Sequence, residues 1–139
     1  MQIRAFQTAD EDAVIRVWRE CDLVRPNNDP HKDIRRKLAV RPDLFLVGIM
    51  ENQIVATVMA GYEGHRGWLN YLGVLPSFRK RGVARLLVAE AERLLRLEGC
   101  AKINLQVRNA NQGVVEFYRR IGYSVDDVLS MGKRLEKDY

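Results

Sequence analysis

The chain reads as an α/β protein with helices flanking a single sheet, and three observations predict this. Short apolar runs bounded by Gly, Pro and Asn turns alternate with longer segments whose apolar residues recur at helical spacing. The run Trp68 to Val74 is almost continuously apolar, as a strand covered on both faces should be. Pro76 and a basic, glycine-containing loop follow it directly, and then the longest helical pattern of the chain. The predicted order is β-α-α-β-β-β-α-β-α-β-β, which implies about seven strands. Its 139 residues fit one domain, residues 1–139, with no repeat, linker or low-complexity tract.

Each element has its own signal. Gln2 to Phe6 is a short strand. Thr8-Ala9-Asp10-Glu11 has the form of a capping box, and the helix after it carries Val14, Val17, Trp18 and Cys21 on one face. Asp29-Pro30 places an N-cap and a first-turn proline at the head of a second helix that must end before Pro42. Leu44 to Met50 and Ile54 to Tyr62 form a hairpin across Glu51-Asn52-Gln53, and Glu63 to Gly67 makes the next turn. Val83, Leu86, Leu87, Ala91, Leu94 and Leu95 stripe the main helix, which stops at Gly99. Lys102 to Val107 is a strand. Asn111 caps a helix whose inner face is Val114, Phe117, Tyr118 and Ile121, ended by Gly122. Tyr123 to Val128 and Leu129 to Leu135 are expected as a terminal pair of strands.

Composition narrows the function. Twenty-three basic and 18 acidic residues leave a net charge of +5, which favours anionic partners, either a nucleic acid or a polyphosphate. No apolar run is long enough to span a bilayer and the N-terminus has no signal-peptide pattern, so a cytoplasmic protein without a membrane partner is expected. Cys21 and Cys100 form no C-x-x-C pair and suggest small buried hydrophobes; no metal-ligand spacing occurs. Exposed aromatics interleaved with basic residues are lacking, as is a helix-turn-helix signature, so no nucleic-acid partner is expected.

The chemistry is concentrated at Arg79-Lys80-Arg81-Gly82-Val83-Ala84. The first amides of a helix have no partner within it, and its dipole places partial positive charge there. Gly82 and Ala84 let an anion approach the backbone, and Arg79, Lys80 and Arg81 add formal charge. Neither a Walker-type loop nor a dinucleotide-binding G-x-G-x-x-G is present. The loop is predicted to hold a phosphorylated group.

Leu72-Gly73-Val74-Leu75-Pro76, Arg79-x-x-Gly82-x-Ala84, Asn111, Phe117-Tyr118 and Gly122-Tyr123 together resemble the GNAT acetyltransferase superfamily over almost the whole chain. A second set, including Cys21-Asp22-Leu23, Asn28-Asp29-Pro30 and Gly64-His65-Arg66-Gly67, is similar to small bacterial members of that family. The resemblance implies a mixed sheet whose fourth and fifth strands splay apart. It implies that Arg79 to Ala84 wrap the pyrophosphate of acetyl-CoA through their amides. The backbones of Leu72 and Val74 would contact the cofactor, and an N–H near Val74 would polarise the thioester carbonyl. Asn111 is then a cofactor contact, although capping alone also accounts for it. Tyr118 is implied as the general acid for the departing thiolate, and core packing is its other reading; a ring can pack while its hydroxyl acts.

The implied reaction is direct acetyl transfer from acetyl-CoA to an amine, without a metal. The chain departs from relatives that carry a Glu in the fifth strand, having Gln106 there, which cannot take a proton. Asp22, Asp29, Glu63 and His65 are the other candidate bases, and His31 reads as an exposed first-turn residue. A CoA-binding regulatory module without turnover is the alternative, and a monomer or homodimer is expected.

Overall fold

A computed structural model describes residues 1–138. Two compact units are present, one made of Met1–Leu105 with Asp138 and one of Gln106–Lys137.

The first unit holds a five-stranded sheet in the order β1 (Gln2–Ala5), β2 (Phe45–Met50), β3 (Gln53–Tyr62), β4 (Gly67–Val74) and β5 (Ile103–Leu105). All neighbours are antiparallel except β4 and β5, so the sheet is mixed. Helices α1 (Glu11–Glu20) and α2 (Pro30–Leu38) follow β1, and α3 (Val83–Leu97) connects β4 to β5. The β2–β3 turn is tighter than the three-residue turn expected, because Met50 pairs with Gln53. Glu51 and Asn52 both take positive φ there (52° and 59°), as a two-residue hairpin of matching twist demands.

Thr57 and Gly73 are cross-strand partners, and a Cβ on Gly73 would meet Cys21 Sγ at 3.1 Å, which fixes the face that α1 covers. Tyr62 and Gly67 are also partners, five positions along β3 and therefore on the other face. A Cβ on Gly67 would meet Leu95 of α3 at 3.2 Å. The sheet is thus sandwiched between α1 and α3. Its core includes Val14, Val17, Trp18, Ile34, Phe45, Val47, Val55, Val58, Leu87 and Leu95, all fully buried.

Four expectations are corrected. The Thr8–Glu11 capping box is displaced by one residue: a 3-10 turn spans Thr8–Asp10, and the Gln7 N–H donates to the Asp10 carboxylate at 2.8 Å. Arg4 selects this register by holding Asp10 with two bonds of 2.7 and 3.1 Å. Cys21 and Cys100 are both half-buried and each thiol donates to a backbone carbonyl, so neither is the buried hydrophobe expected. The fifth strand is three residues long, not six. The expected terminal pair of strands does not form among the described residues, which leaves five strands in place of seven. Asp126-Asp127 breaks the apolar alternation of Tyr123 to Val128, so the segment presents no continuous row to pair. In the segment expected to pair with it, Leu129, Met131 and Leu135 are at least 90% exposed.

The second unit contains α4 (Gln112–Arg120), of which Tyr118 is the buried residue. Asn111 caps it, accepting from the Val114 N–H at 3.4 Å. Gly122, at φ 102°, ends it, with the Tyr123 N–H returning to the Tyr118 carbonyl at 2.9 Å.

Candidate active site

The end of β4 is where the sheet opens. β5 pairs with Gly67, Trp68 and Leu69 and with nothing beyond, while β4 runs on to Val74. Asn70 to Val74 therefore carry no strand on that side among the described residues. On the other side, the Leu75 N–H donates to the Val55 carbonyl at 2.8 Å. Antiparallel ladders alternate, so Val74, one residue earlier, turns both its N–H and its C=O away from β3 and into the open side.

The Val74 carbonyl is engaged twice. Arg79 Nε donates to it at 3.0 Å and the Cys21 thiol at 3.3 Å, with Arg79 Nη2 lying 3.6 Å from the sulfur. Its N–H is thereby left as the group the open edge offers. Arg79, expected beside the phosphate, thus also braces the joint between β4 and the loop.

After β4 come a 3-10 turn, Pro76–Phe78, and the basic loop. Lys80 (φ 62°) and Gly82 (φ 78°) are both left-handed, which turns the chain sharply into α3. α2 and α4 are capped by the side chains of Asp29 and Asn111, but no side chain caps α3 and its first turn holds no acid. α1 also starts without a side-chain cap but holds Glu11 and Asp12 in its first turn, whereas the start of α3 has neither cap nor acid and is flanked by exposed Arg79, Lys80, Arg81 and Arg85. Arg81 lies over the Phe78 ring, 5.1 Å from its centroid. A Cβ built on Gly82 would find only Arg85 Nη2, at 3.6 Å, so the approach to the amides of Val83 and Ala84 is unobstructed there. These residues fit a diphosphate.

Tyr118 packs edge-on against Phe117 and Tyr123, at centroid distances of 5.1 and 5.3 Å. Burial pushes its hydroxyl well above the ordinary phenol range, so it is held as a neutral donor. Packing and a donor hydroxyl coexist in the same side chain.

The candidate bases are largely committed elsewhere. Asp22 takes φ 57° at the stop of α1 and pairs with Arg25 at 3.5 Å. Asp29 accepts from the His31 and Lys32 N–H groups. Glu63 accepts from the His65 and Arg66 amides, tying its turn. His31 Nδ1 stands 3.3 Å from Glu11. The Gln106 amide donates to the Ser130 hydroxyl. Cys100 gives its thiol to the Lys102 carbonyl at 3.3 Å. Among the described residues no acid, His and Cys cluster is suited to a metal.

The sequence reading missed a buried polar chain behind β4. Trp18 Nε1 donates to Thr57 Oγ1 at 2.9 Å, and that hydroxyl donates to the Tyr71 carbonyl at 2.7 Å. The Tyr71 ring stacks on Trp18 at 3.8 Å, and its hydroxyl donates to Asp33 at 2.5 Å. Burial first, then the bond to Asp33, raises the Tyr71 hydroxyl above its ordinary range. One signal was available: Thr57 is a lone polar residue inside the apolar run Ile54 to Ala60.

A family model described as the acetyltransferase (GNAT) family matches residues 11–123. An acetyltransferase of Pectobacterium atrosepticum is 49% identical over 138 residues, covering 99% of this chain and 98% of its own. One from Yersinia enterocolitica is 48% identical over the same length and coverage. Among solved structures, the aminoglycoside antibiotic 6'-N-acetyltransferase of Acinetobacter haemolyticus superposes with a TM-score of 0.78 at 18% identity, covering 98% of this chain and 100% of that one. The PaiA N-acetyltransferase of Thermoplasma acidophilum, solved with coenzyme A, gives 0.73 at 20% identity and covers 91% of each chain. With relatives this close over its full length, and a sheet that opens beside a basic, uncapped helix, the chain belongs to the acetyltransferase (GNAT) family of enzymes.

Proposed function

We propose that the enzyme transfers the acetyl group of acetyl-CoA directly to an amine. The observation that carries this reading is the open edge of β4, where the Val74 N–H faces away from the sheet just before a helix N-terminus without a cap. The amides of Gly82, Val83 and Ala84, with Lys80, Arg81 and the outer face of Arg79, would hold the pyrophosphate. The backbones of Leu72 and Val74 would line the pantetheine arm. Asn111 gives its carbonyl oxygen to the helix and keeps its amide N–H groups for that arm.

In the transfer, a deprotonated amine attacks the acetyl carbon as the Val74 N–H stabilises the charge growing on the carbonyl oxygen. The new C–N bond replaces the C–S bond, and the Tyr118 hydroxyl gives its proton to the sulfur. Because the acidic side chains in reach are occupied in turns and caps, the amine proton leaves through water. Gln106 at the position of a possible base argues for acceptors other than peptide N-termini.

The test is thiol release from acetyl-CoA against a panel of polyamines, aminoglycosides, amino acids and lysine peptides, with product masses recorded. Amine-dependent release with a mass gain of one acetyl group supports the reading. CoA binding with no acceleration by any amine would leave a regulatory module in its place.

A further inference from the structure

The chain Trp18–Thr57–Tyr71 sits at the register shift of the β3–β4 ladder. Thr57 pairs with Gly73 and Met59 with Asn70, so Val58 alone opposes two residues, Tyr71 and Leu72. This is a β-bulge, and Tyr71 adopts φ 53° in it. A residue with a Cβ prefers not to be there, at a cost of about 1–2 kcal/mol, so something must hold it. Thr57 is fully buried, and its hydroxyl takes the Tyr71 carbonyl that would otherwise join the β3 ladder. Trp18 Nε1 satisfies the same hydroxyl from behind while its ring covers Tyr71.

The bulge has a consequence three residues beyond Tyr71 on the open edge, at Val74. Above it, the Glu63 N–H bonds to the Arg66 carbonyl; below it, Leu75 bonds to Val55. Both contacts put the odd-numbered residues of β3 in the hydrogen-bonded positions facing β4. Were the extra residue removed from the ladder with the upper pairs unchanged, Val55 would face Val74 instead of Leu75. The Val74 N–H would then turn inward to β3, and the open edge would lose it. The bulge decides the direction of that amide.

We propose that Thr57, backed by Trp18, is a positioning residue for acetyl transfer: by clamping the Tyr71 carbonyl it keeps the bulge in β4 and so aims the Val74 N–H out of the sheet. The assignment of a role to that N–H rests on the function proposed above. The direction of the N–H does not.

The test compares Thr57→Val, which keeps the shape and removes the hydroxyl, with Thr57→Ser, which restores it. Thr57→Val is expected to lower kcat by about tenfold or more, since losing one donor to the developing charge costs ~10²–10³ when complete. CoA affinity, set mainly by the loop before α3, should stay within about threefold, a loss of under 0.7 kcal/mol. Thr57→Ser should recover most of kcat. A second readout needs no substrate: the Val74 amide should exchange with solvent deuterium faster in the wild type than in Thr57→Val, where it enters the ladder. A folded Thr57→Val protein with wild-type kcat and unchanged Val74 exchange would overturn the proposal. Should that variant not fold, Trp18→Phe keeps an aromatic ring against Tyr71 while removing the Nε1 donor together with part of the ring volume. It should move kcat and Val74 exchange in the same directions by a few-fold, and no movement in either would overturn the proposal equally. Altered exchange in an enzyme that proves to have no amine-dependent turnover would sink the functional reading and leave the positioning intact.

Discussion

Tyr118 and Asp10 are both buried and both polar, and their surroundings push them in opposite directions. Burial raises the Tyr118 hydroxyl, so the group stays protonated across the physiological range. Tyr118→Phe keeps the ring contacts with Phe117 and Tyr123 and removes the proton. Turnover should fall by roughly 10²-fold with CoA affinity and melting temperature little changed, as steady-state kinetics with calorimetry would show. Asp10 is held below the ordinary carboxylate range, first by its hydrogen bonds from Arg4. A depressed folded-state value means that the stabilisation is present above the unfolded carboxylate pKa, near 3.9, and is lost as pH falls through the lower folded value. Asp10→Asn should cost about 1.5–3 kcal/mol at pH 7 in urea titrations. The difference between the two proteins should shrink steadily below about pH 4.

At the scale of an element, the starts of α1 to α4 divide by purpose, and α1, which has no side-chain cap, carries Glu11 and Asp12 in its first turn. α2 and α4 close their first turns with Asp29 and Asn111, whereas α3 begins on Gly82 with no side-chain acceptor and no acid in its first turn. A helix left in that state is suited to an external anion. Gly82→Val adds bulk where only Arg85 Nη2 stands close, and forces a β-branched residue to φ 78°. The strain should cost about 1–2 kcal/mol, which a domain of this size can tolerate, while CoA binding is abolished. Unchanged affinity by calorimetry, with a native circular dichroism spectrum, would argue that the anion sits elsewhere.

For the whole molecule, a ligand that binds only the folded state adds to its stability in proportion to the logarithm of its concentration. CoA at a hundred times its dissociation constant should add about 2.7 kcal/mol, a rise of several degrees in Tm. With a net charge of +5 and exposed Arg79, Lys80, Arg81 and Arg85, that shift should shrink as salt rises. An unchanged Tm at low salt would show that the basic loop holds no CoA. No helix among the described residues is long and apolar enough to cross a membrane.

Local rules were enough wherever the chain's own neighbours decide the outcome. Asp29-Pro30 and Asn111 start helices and Gly99 and Gly122 end them, because each depends on hydrogen bonds within a few residues; the apolar stripes mark the buried faces, although Leu86 of α3 is left 45% exposed. The basic loop before α3 was legible for the same reason. Strand pairing lies beyond such rules, since a strand forms only if another supplies its ladder. Hence Tyr123 to Leu135 could look like a pair and not be one, and β5 could stop after three residues. Thr57 and Trp18 are 39 positions apart, and their bond exists only after the sheet and α1 have packed. That packing, which no local pattern records, places the bulge at Tyr71 and turns the Val74 amide outward.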